Sequence, residues 1–212
     1  AEDAHLAVDT IVLKLTGSQL ERSEMMLLDL LANFDWKRPL YFTQPTAVTR
    51  QLGLTEFMQQ DGFAYRLVPI KTEVKGLTVG RIDTEYLWNN LMNKFKYANI
   101  KDPRAYADAT IQHSYRVVQL RGTFARLAQQ LMEEGDTTRA KQALAFGLEE
   151  VPFSKIAHSY DSTLPVIEAY YKMKQPEKAN EILHDWEFRL KEQMVYYTQF
   201  RGIKWNSVER DF

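Results

Sequence analysis

The residues best suited to chemistry cluster in Asn33-Phe34-Asp35-Trp36-Lys37-Arg38-Pro39-Leu40-Tyr41-Phe42. Asp35, Trp36, Arg38 and Tyr41 combine opposite charges with hydrogen-bonding and stacking surface, a set that suits a sugar or a peptide. Tyr65 and Arg66 extend it, and together they would line a groove between an N-terminal unit and the helices that follow. The alternative is structural: Trp36 packs in the core and Arg38 pairs with a carboxylate. Asp35 and Asp61 offer the two carboxylates that glycoside hydrolysis needs, at a separation of about 5 to 9.5 Å that chain spacing does not fix. Tyr170-Tyr171 and Tyr196-Tyr197 either face a concave peptide groove or pack between helices.

Other chemistries lack their residues. Cysteine is absent, which removes disulfides, thiolate zinc sites and a cysteine nucleophile. No two of His5, His113, His158 and His184 have the i, i+4 spacing of a helical metal pair. His158 and Asp161 read as an acid–base pair or, more plainly, as a surface pair. Asp102 and Asp108 lack the dense oxygen spacing of a calcium loop. Gly76 and Gly80 precede no lysine–serine pair, and neither a dinucleotide fingerprint nor a nucleophile elbow occurs. No catalytic residue, metal or cofactor is therefore expected. Asp9-Thr10-Ile11, Asp136-Thr137-Thr138 and Asp161-Ser162-Thr163 resemble the short O-glycan acceptor sequence of some gut bacteria, a pattern that chance also supplies.

The totals set the frame. The 212 residues suit one large domain or two small ones, and 45% apolar with 26% charged residues is ordinary for a folded chain. A net charge of −1 from 27 basic and 28 acidic residues gives no footprint for nucleic acid. No apolar run approaches a membrane span, since Met25-Met26-Leu27-Leu28 is cut by Asp29, and no signal peptide is visible. The chain begins at Ala1 without methionine, so a processed protein or a piece of a longer one is expected.

The elements that must position these residues follow from the pattern. Ala7 to Leu15 alternates and is β-branched, which predicts a strand ended by Gly17. Ser18 and Glu21 form a capping box for a helix carrying Leu20, Leu27, Leu28 and Leu31, ending near Asn33. Pro39 suits the first residue of a strand over Leu40–Thr43. Strand, helix, strand predicts a right-handed βαβ crossover. A short helix over Leu54–Gln60, a turn at Asp61-Gly62 and a third strand over Phe63–Ile70 complete a small α/β unit of about three strands, bounded near residue 80 by the glycine-containing stretch Thr72–Arg81.

Asp83 then caps a helix bearing Leu87, Trp88, Leu91 and Phe95, which Asp102-Pro103 breaks. Helix is expected from about Tyr106 onward. Phe124, Leu127, Ala128, Leu131, Ala140, Leu144, Gly147 and Pro152 match the large, small and terminating positions of a 34-residue helix–turn–helix repeat of tetratricopeptide type. The pattern recurs at an offset of 39 residues: Leu127 aligns with Val166, Leu131 with Tyr170, Ala140 with Ala179 and Leu144 with Leu183. A five-residue insertion at Ile156–Tyr160 accounts for the longer period. Pro176 opens the last helix, whose stripe of Ala179, Ile182, Leu183, Trp186 and Leu190 extends toward Tyr197 as a terminal capping helix does. The expected class is α+β: an α/β unit over 1–80 packed on a helical, repeat-like region over 81–212.

At this point NFDWKRPLYF, LGLTEFMQQDGFAYRLVPIKT, DTEYLWNNLMNKF, FARLAQQLMEEG and EAYYKMKQPEKANEIL together resemble one bacterial family. Its members are multi-spanning membrane proteins of unknown function with a protein O-mannosyltransferase-like membrane core. The resemblance runs from about Leu27 to Leu183 and implies a soluble C-terminal tail on the periplasmic side of the inner membrane. The catalytic acid of such enzymes lies in a loop between early membrane helices, so the resemblance carries over no catalytic residue. The repeat pattern, together with the missing catalytic constellation, leads to the expectation of a non-catalytic accessory domain that positions a polypeptide acceptor or another protein partner. A glycan is a further candidate ligand, nucleic acid is not, and the membrane enters only through an upstream transmembrane region absent from this chain. The alternatives are a glycan-acting enzyme and a purely structural tail that steadies the membrane core.

Overall fold

Met58, Leu67, Phe42 and Tyr65 share one face of a small sheet, and burying that face organises the N-terminal unit. The computed structural model describes residues 2–13, 15, 19–45, 47–73, 79–106, 108 and 115–199. Its strands are β1 (Tyr41–Phe42), β2 (Met58–Gln60) and β3 (Tyr65–Leu67), all antiparallel, in the order β1-β3-β2. In this register Tyr41, Arg66 and Gln59 share one face, while Phe42, Tyr65 and Gln60 share the other. Leu52, Leu54, Phe57, Met58, Leu67 and Val79 form the buried core, with Leu27, Leu28, Leu31 and Phe34 packed against it.

Helix α1 (Arg22–Ala32) brings those leucines to the core, and α2 (Ala47–Gln51) with a 3₁₀ turn (Leu54–Phe57) leads into β2. Helix α3 (Thr84–Asn89) continues as a π-helical turn (Asn90–Lys94). Asp83 caps α3, its Oδ1 accepting from Tyr86 N at 2.9 Å. The chain divides into compact units Ala1–Tyr97 and Ala98–Phe212. The break falls beyond residue 80 because α3 belongs with the sheet, where Asn90 Nδ2 donates to Asp61 O at 2.7 Å.

Several expectations need correction. The α+β class holds, but the parallel crossover does not. The expected crossover joined residues 7–15 through α1 to the strand at Leu40–Thr43, but the bridge made by that first segment, Ala7 to Ile70, is antiparallel and β1 pairs antiparallel with β3 instead. The described residues of 7–15 make a single bridge, Ala7 to Ile70, instead of a strand. Val8, Ile11 and Leu13 pack on the core without a neighbouring strand to ladder with. Helix α1 starts at Arg22, with Glu21 as its cap and Glu21 N donating to Glu24 Oε2 at 2.7 Å; Ser18 lies outside the described residues. The segment expected as a helix over Leu54–Gln60 splits, because pairing with β3 draws Met58–Gln60 into the sheet. Gly76 falls outside the described residues.

The second unit is helical. Helix α4 (Tyr115–Glu133) packs on α5 (Thr137–Glu150) and α6 (Tyr160–Lys172), and α6 packs on α7 (Pro176–Tyr197). The aligned positions Leu127 and Val166, Leu131 and Tyr170, and Ala140 and Ala179 are all buried. Leu183 departs from its counterpart Leu144, being 41% exposed. The two helix pairs also turn alike. Gly135 is left-handed (φ 87°), and Asp136 N reaches Leu131 O at 2.8 Å while Gly135 N reaches Met132 O at 3.0 Å. Thirty-nine residues on, Lys174 is left-handed (φ 55°), with Gln175 N to Tyr170 O and Lys174 N to Tyr171 O both at 3.0 Å. Both are Schellman ends, which satisfy the last helical carbonyls. Among the described residues no helix is long and apolar enough to cross a membrane.

Gly147 lets α5 lie against Phe124: a Cβ there would sit 2.4 Å from the ring. Gly147→Ala should destabilise the fold by about 1–3 kcal/mol in urea unfolding, overpacking outweighing the gain in helix propensity. Lys174→Gly should act in the opposite sense and raise stability by about 1 kcal/mol in the same assay, because glycine meets no Cβ penalty at positive φ.

Candidate functional site

Asp61 is the residue on which the polar face of the sheet converges. It is only 5% exposed, and a buried carboxylate demands donors. Tyr41 on β1 gives its hydroxyl proton to Oδ2 at 3.0 Å, and Gln59 on β2 donates to Oδ1 at 2.8 Å. Arg66 on β3 places Nε 2.9 Å from Oδ2, close enough for charge neutralisation but out of line for a hydrogen bond. Gln59 accepts in turn from Arg81 Nη1 at 2.8 Å, and Arg81 Nη2 reaches Asp3 at 2.6 Å. Helix α3 covers this row. The Tyr86 ring lies 4.7 Å from the Arg66 guanidinium and 5.6 Å from Lys94 Nζ.

The electrostatics follow from burial. Desolvation pushes the Asp61 carboxyl above its ordinary range, with Asp83 adding to the effect, while Gln59, Arg66 and Tyr41 hold it back. Desolvation, the neighbouring Tyr86 and the Asp61 charge raise the Tyr41 phenol above its usual value. The network is a fixed set of donors around one anion, with Tyr41 (43% exposed), Tyr86 and Lys94 at its open rim.

Of the residues expected here, Tyr41 and Arg66 meet. Tyr65 faces the opposite side of the sheet and packs on the core. Asp35 caps its own turn, accepting from Lys37 N at 3.1 Å. Trp36 is 49% exposed, left-handed at φ 61° and set against Phe34 with ring centroids 4.7 Å apart, so it does not fill the core. Arg38 is exposed. Both Asp61 carboxylate oxygens are engaged by Tyr41, Gln59 and Arg66. Gln59, Arg81 and Tyr86 escaped sequence reasoning. Gln59 reaches Tyr41 and Arg66 only through the strand register, which the three-residue stretch Met58–Gln60 does not encode.

In the helical unit the tyrosine pair splits. Tyr170 is 6% exposed and takes the core position of Leu131, while Tyr171 is 45% exposed, its hydroxyl bonded to Asn180 Oδ1 at 2.5 Å. Tyr196 and Tyr197 meet edge to face at 5.4 Å. His158 pairs with Asp185, not Asp161: Nε2 lies 2.7 Å from Asp185 Oδ2, and Asp161 is exposed. Stacking on Phe153 at 4.1 Å and parallel to Trp186 at 6.1 Å turns the ring toward α7. Beside it Arg121 is fully buried, donating to the Ile156 and Ala157 carbonyls and lying over Phe153 at 4.0 Å. Burial alone pulls its pKa down to about 10. Ser162 and Thr163 are fully buried and closed to modification, whereas Thr10, Thr137 and Thr138 are exposed. Asp102 is bonded to Arg104, and His113 lies outside the described residues. Among the described residues no three His, Cys, Asp or Glu side chains gather as a metal site.

Residues 1–86 match the family described as TMEM260-associated domain 2. The matched stretch contains Tyr41, Gln59, Asp61, Arg66, Arg81 and Tyr86. No curated protein and no solved structure matches the chain.

Burial lowers the His158 pKa, helped by Arg121 and Arg189 and opposed by Asp185. The unfolded chain then binds the proton more readily, so stability is full above about pH 6.5 and falls as the solution is acidified toward the folded pKa. The Asp185 carboxyl is itself lowered, by His158 and then Arg189, so its contribution is lost in a separate window below about pH 4. Urea midpoints measured between pH 7.5 and 5 should drop for the wild type and flatten in His158→Phe.

Proposed function

We propose that this chain is a non-catalytic, extracytoplasmic accessory module of a glycosyltransferase-like membrane protein, and that its helical unit holds an extended polypeptide. The observation that carries the reading is the repeated helix pair, with matching buried positions and matching Schellman ends at an offset of 39 residues. Stacked pairs of this tetratricopeptide-like kind leave their first helices side by side, and such faces bind extended chains. Here those helices are α4 and α6, joined where Gln129 Nε2 donates to Pro165 O at 3.2 Å. Tyr171 and Glu168 stand exposed on α6 and Met132 is partly exposed on α4, giving aromatic, acidic and flexible apolar contacts.

The match of residues 1–86 to a TMEM260-associated domain supports the accessory role. A periplasmic setting and delivery of an acceptor polypeptide complete the proposal. The engaged state of Asp61 gives a hydrolase reading with Asp35 no support.

Selecting phage-displayed peptides on the purified chain should enrich sequences that bind with micromolar Kd. Tyr171→Ala and Glu168→Ala should each weaken them by about fivefold or more. If no peptide binds, and deleting the domain lowers only the amount of the membrane protein, the chain is a structural tail.

A further inference from the structure

We infer that α7 carries a self-association surface, and that its occupant is the same seam on a second copy of this chain. The helix outruns its partner. It has 22 residues against 13 in α6, so nine residues, about 13 Å of helix, continue past the end of the pairing. Every residue from Glu187 to Tyr196 is exposed. The apolar pattern does not stop where the cover does. Ala179 is fully buried where the two helices pack, and Leu183, Trp186, Leu190, Met194 and Tyr197 follow it at intervals of three or four. Leu190 is 43% and Met194 57% exposed. The face that seats α7 on α6 therefore runs on as an open seam. A terminal helix of a repeat array stays soluble by turning polar residues to water, and this seam turns apolar ones.

Charge decides among the occupants. The overhang carries two cations, and its own helix takes both: Arg189 Nε lies 3.0 Å from Asp185 Oδ2, and Lys191 Nζ 2.6 Å from Glu187 Oε1. Among the described residues Glu192 is left without an ion pair, and helical spacing sets it on the side away from Leu190. An anionic membrane, a nucleic acid or an acidic peptide finds no uncommitted cation here, and a basic peptide finds no carboxylate on the seam. A second copy asks for neither. It brings the same apolar stripe, with flanking charges already neutralised. Antiparallel pairing about a twofold axis sets each overhang in the line left open by the other copy's shorter α6, with Met194 near the axis. Leu183, Leu190 and Met194, with parts of the Trp186 and Tyr197 rings, supply about 400 Å² per copy, half the share of a standard interface, so the pairing is reversible with Kd on the order of 50 µM.

The test is sedimentation equilibrium of the purified chain from about 1 to 300 µM, where the mass should rise from monomer toward dimer. Leu190→Glu and Met194→Glu should each hold it at the monomer mass, a weakening of about tenfold or more. Phe188→Glu and Val195→Glu, exposed on the opposite side of α7, should dimerise as the wild type does. All four positions face water, so circular dichroism should show the same helix content in each variant. Three results overturn the assignment. The chain stays monomeric throughout, as it does if other residues of the chain or a different protein cover the seam. The dimer survives both seam substitutions. Or Phe188→Glu or Val195→Glu abolishes it equally, the mark of indiscriminate apolar sticking. Peptide binding is read through Tyr171 and Glu168 on α6, so either proposal can fail alone.

Discussion

A carboxylate shut away from water must be surrounded by donors, and meeting that requirement for Asp61 shapes the N-terminal unit. All three strands contribute: Tyr41 from β1, Gln59 from β2 and Arg66 from β3. The antiparallel register is what places these on one face, and a slip by one residue would send all of them into the apolar core. The order of the sheet and the satisfaction of the charge are therefore a single constraint. Helix α3 is drawn into the same unit because Asn90 bonds the Asp61 carbonyl and Tyr86 covers Arg66.

The helical unit has its own buried charge, met differently. Among the described residues Arg121 donates to no carboxylate; its guanidinium serves the carbonyls of Ile156 and Ala157. These carbonyls belong to the stretch that lengthens the repeat between α5 and α6. A connecting segment outside the helices leaves backbone carbonyls without intrahelical partners, and one long cationic donor reaching from α4 supplies them. Phe153 and His158 close over it and link the insertion to α7 through Asp185. The insertion is thus an anchored part of the unit.

Much of the helical half was legible from periodicity, because side-chain spacing and helix geometry are tied residue by residue. The buried pairs Leu127 and Val166, and Ala140 and Ala179, fall where the offset puts them. Tyr170 and Tyr171 were separable in principle, since only the first aligns with Leu131. The sheet was harder. Strands of two or three residues leave too short a pattern to read, and the alternation over 7–15 serves packing without a ladder. The Asp61 network was only half visible: Tyr41 and Arg66 stood out as types, whereas Gln59, Arg81 and Tyr86 join it through pairing that no local spacing reveals.

The segment before α1 shows what that absence of a ladder means for motion. Among the described residues its backbone is held by one bridge just past β3, Ala7 to Ile70, with Val8 N on Pro69 O at 2.7 Å, and Asp3 adds an ion pair to Arg81, while its side chains lean on the core. Such a strap can peel away without breaking strand pairing, and its amides would exchange with deuterated solvent long before those of β3. The first layer of the unit to loosen is therefore one that packs on the core of Leu52, Leu54, Phe57, Met58, Leu67 and Val79.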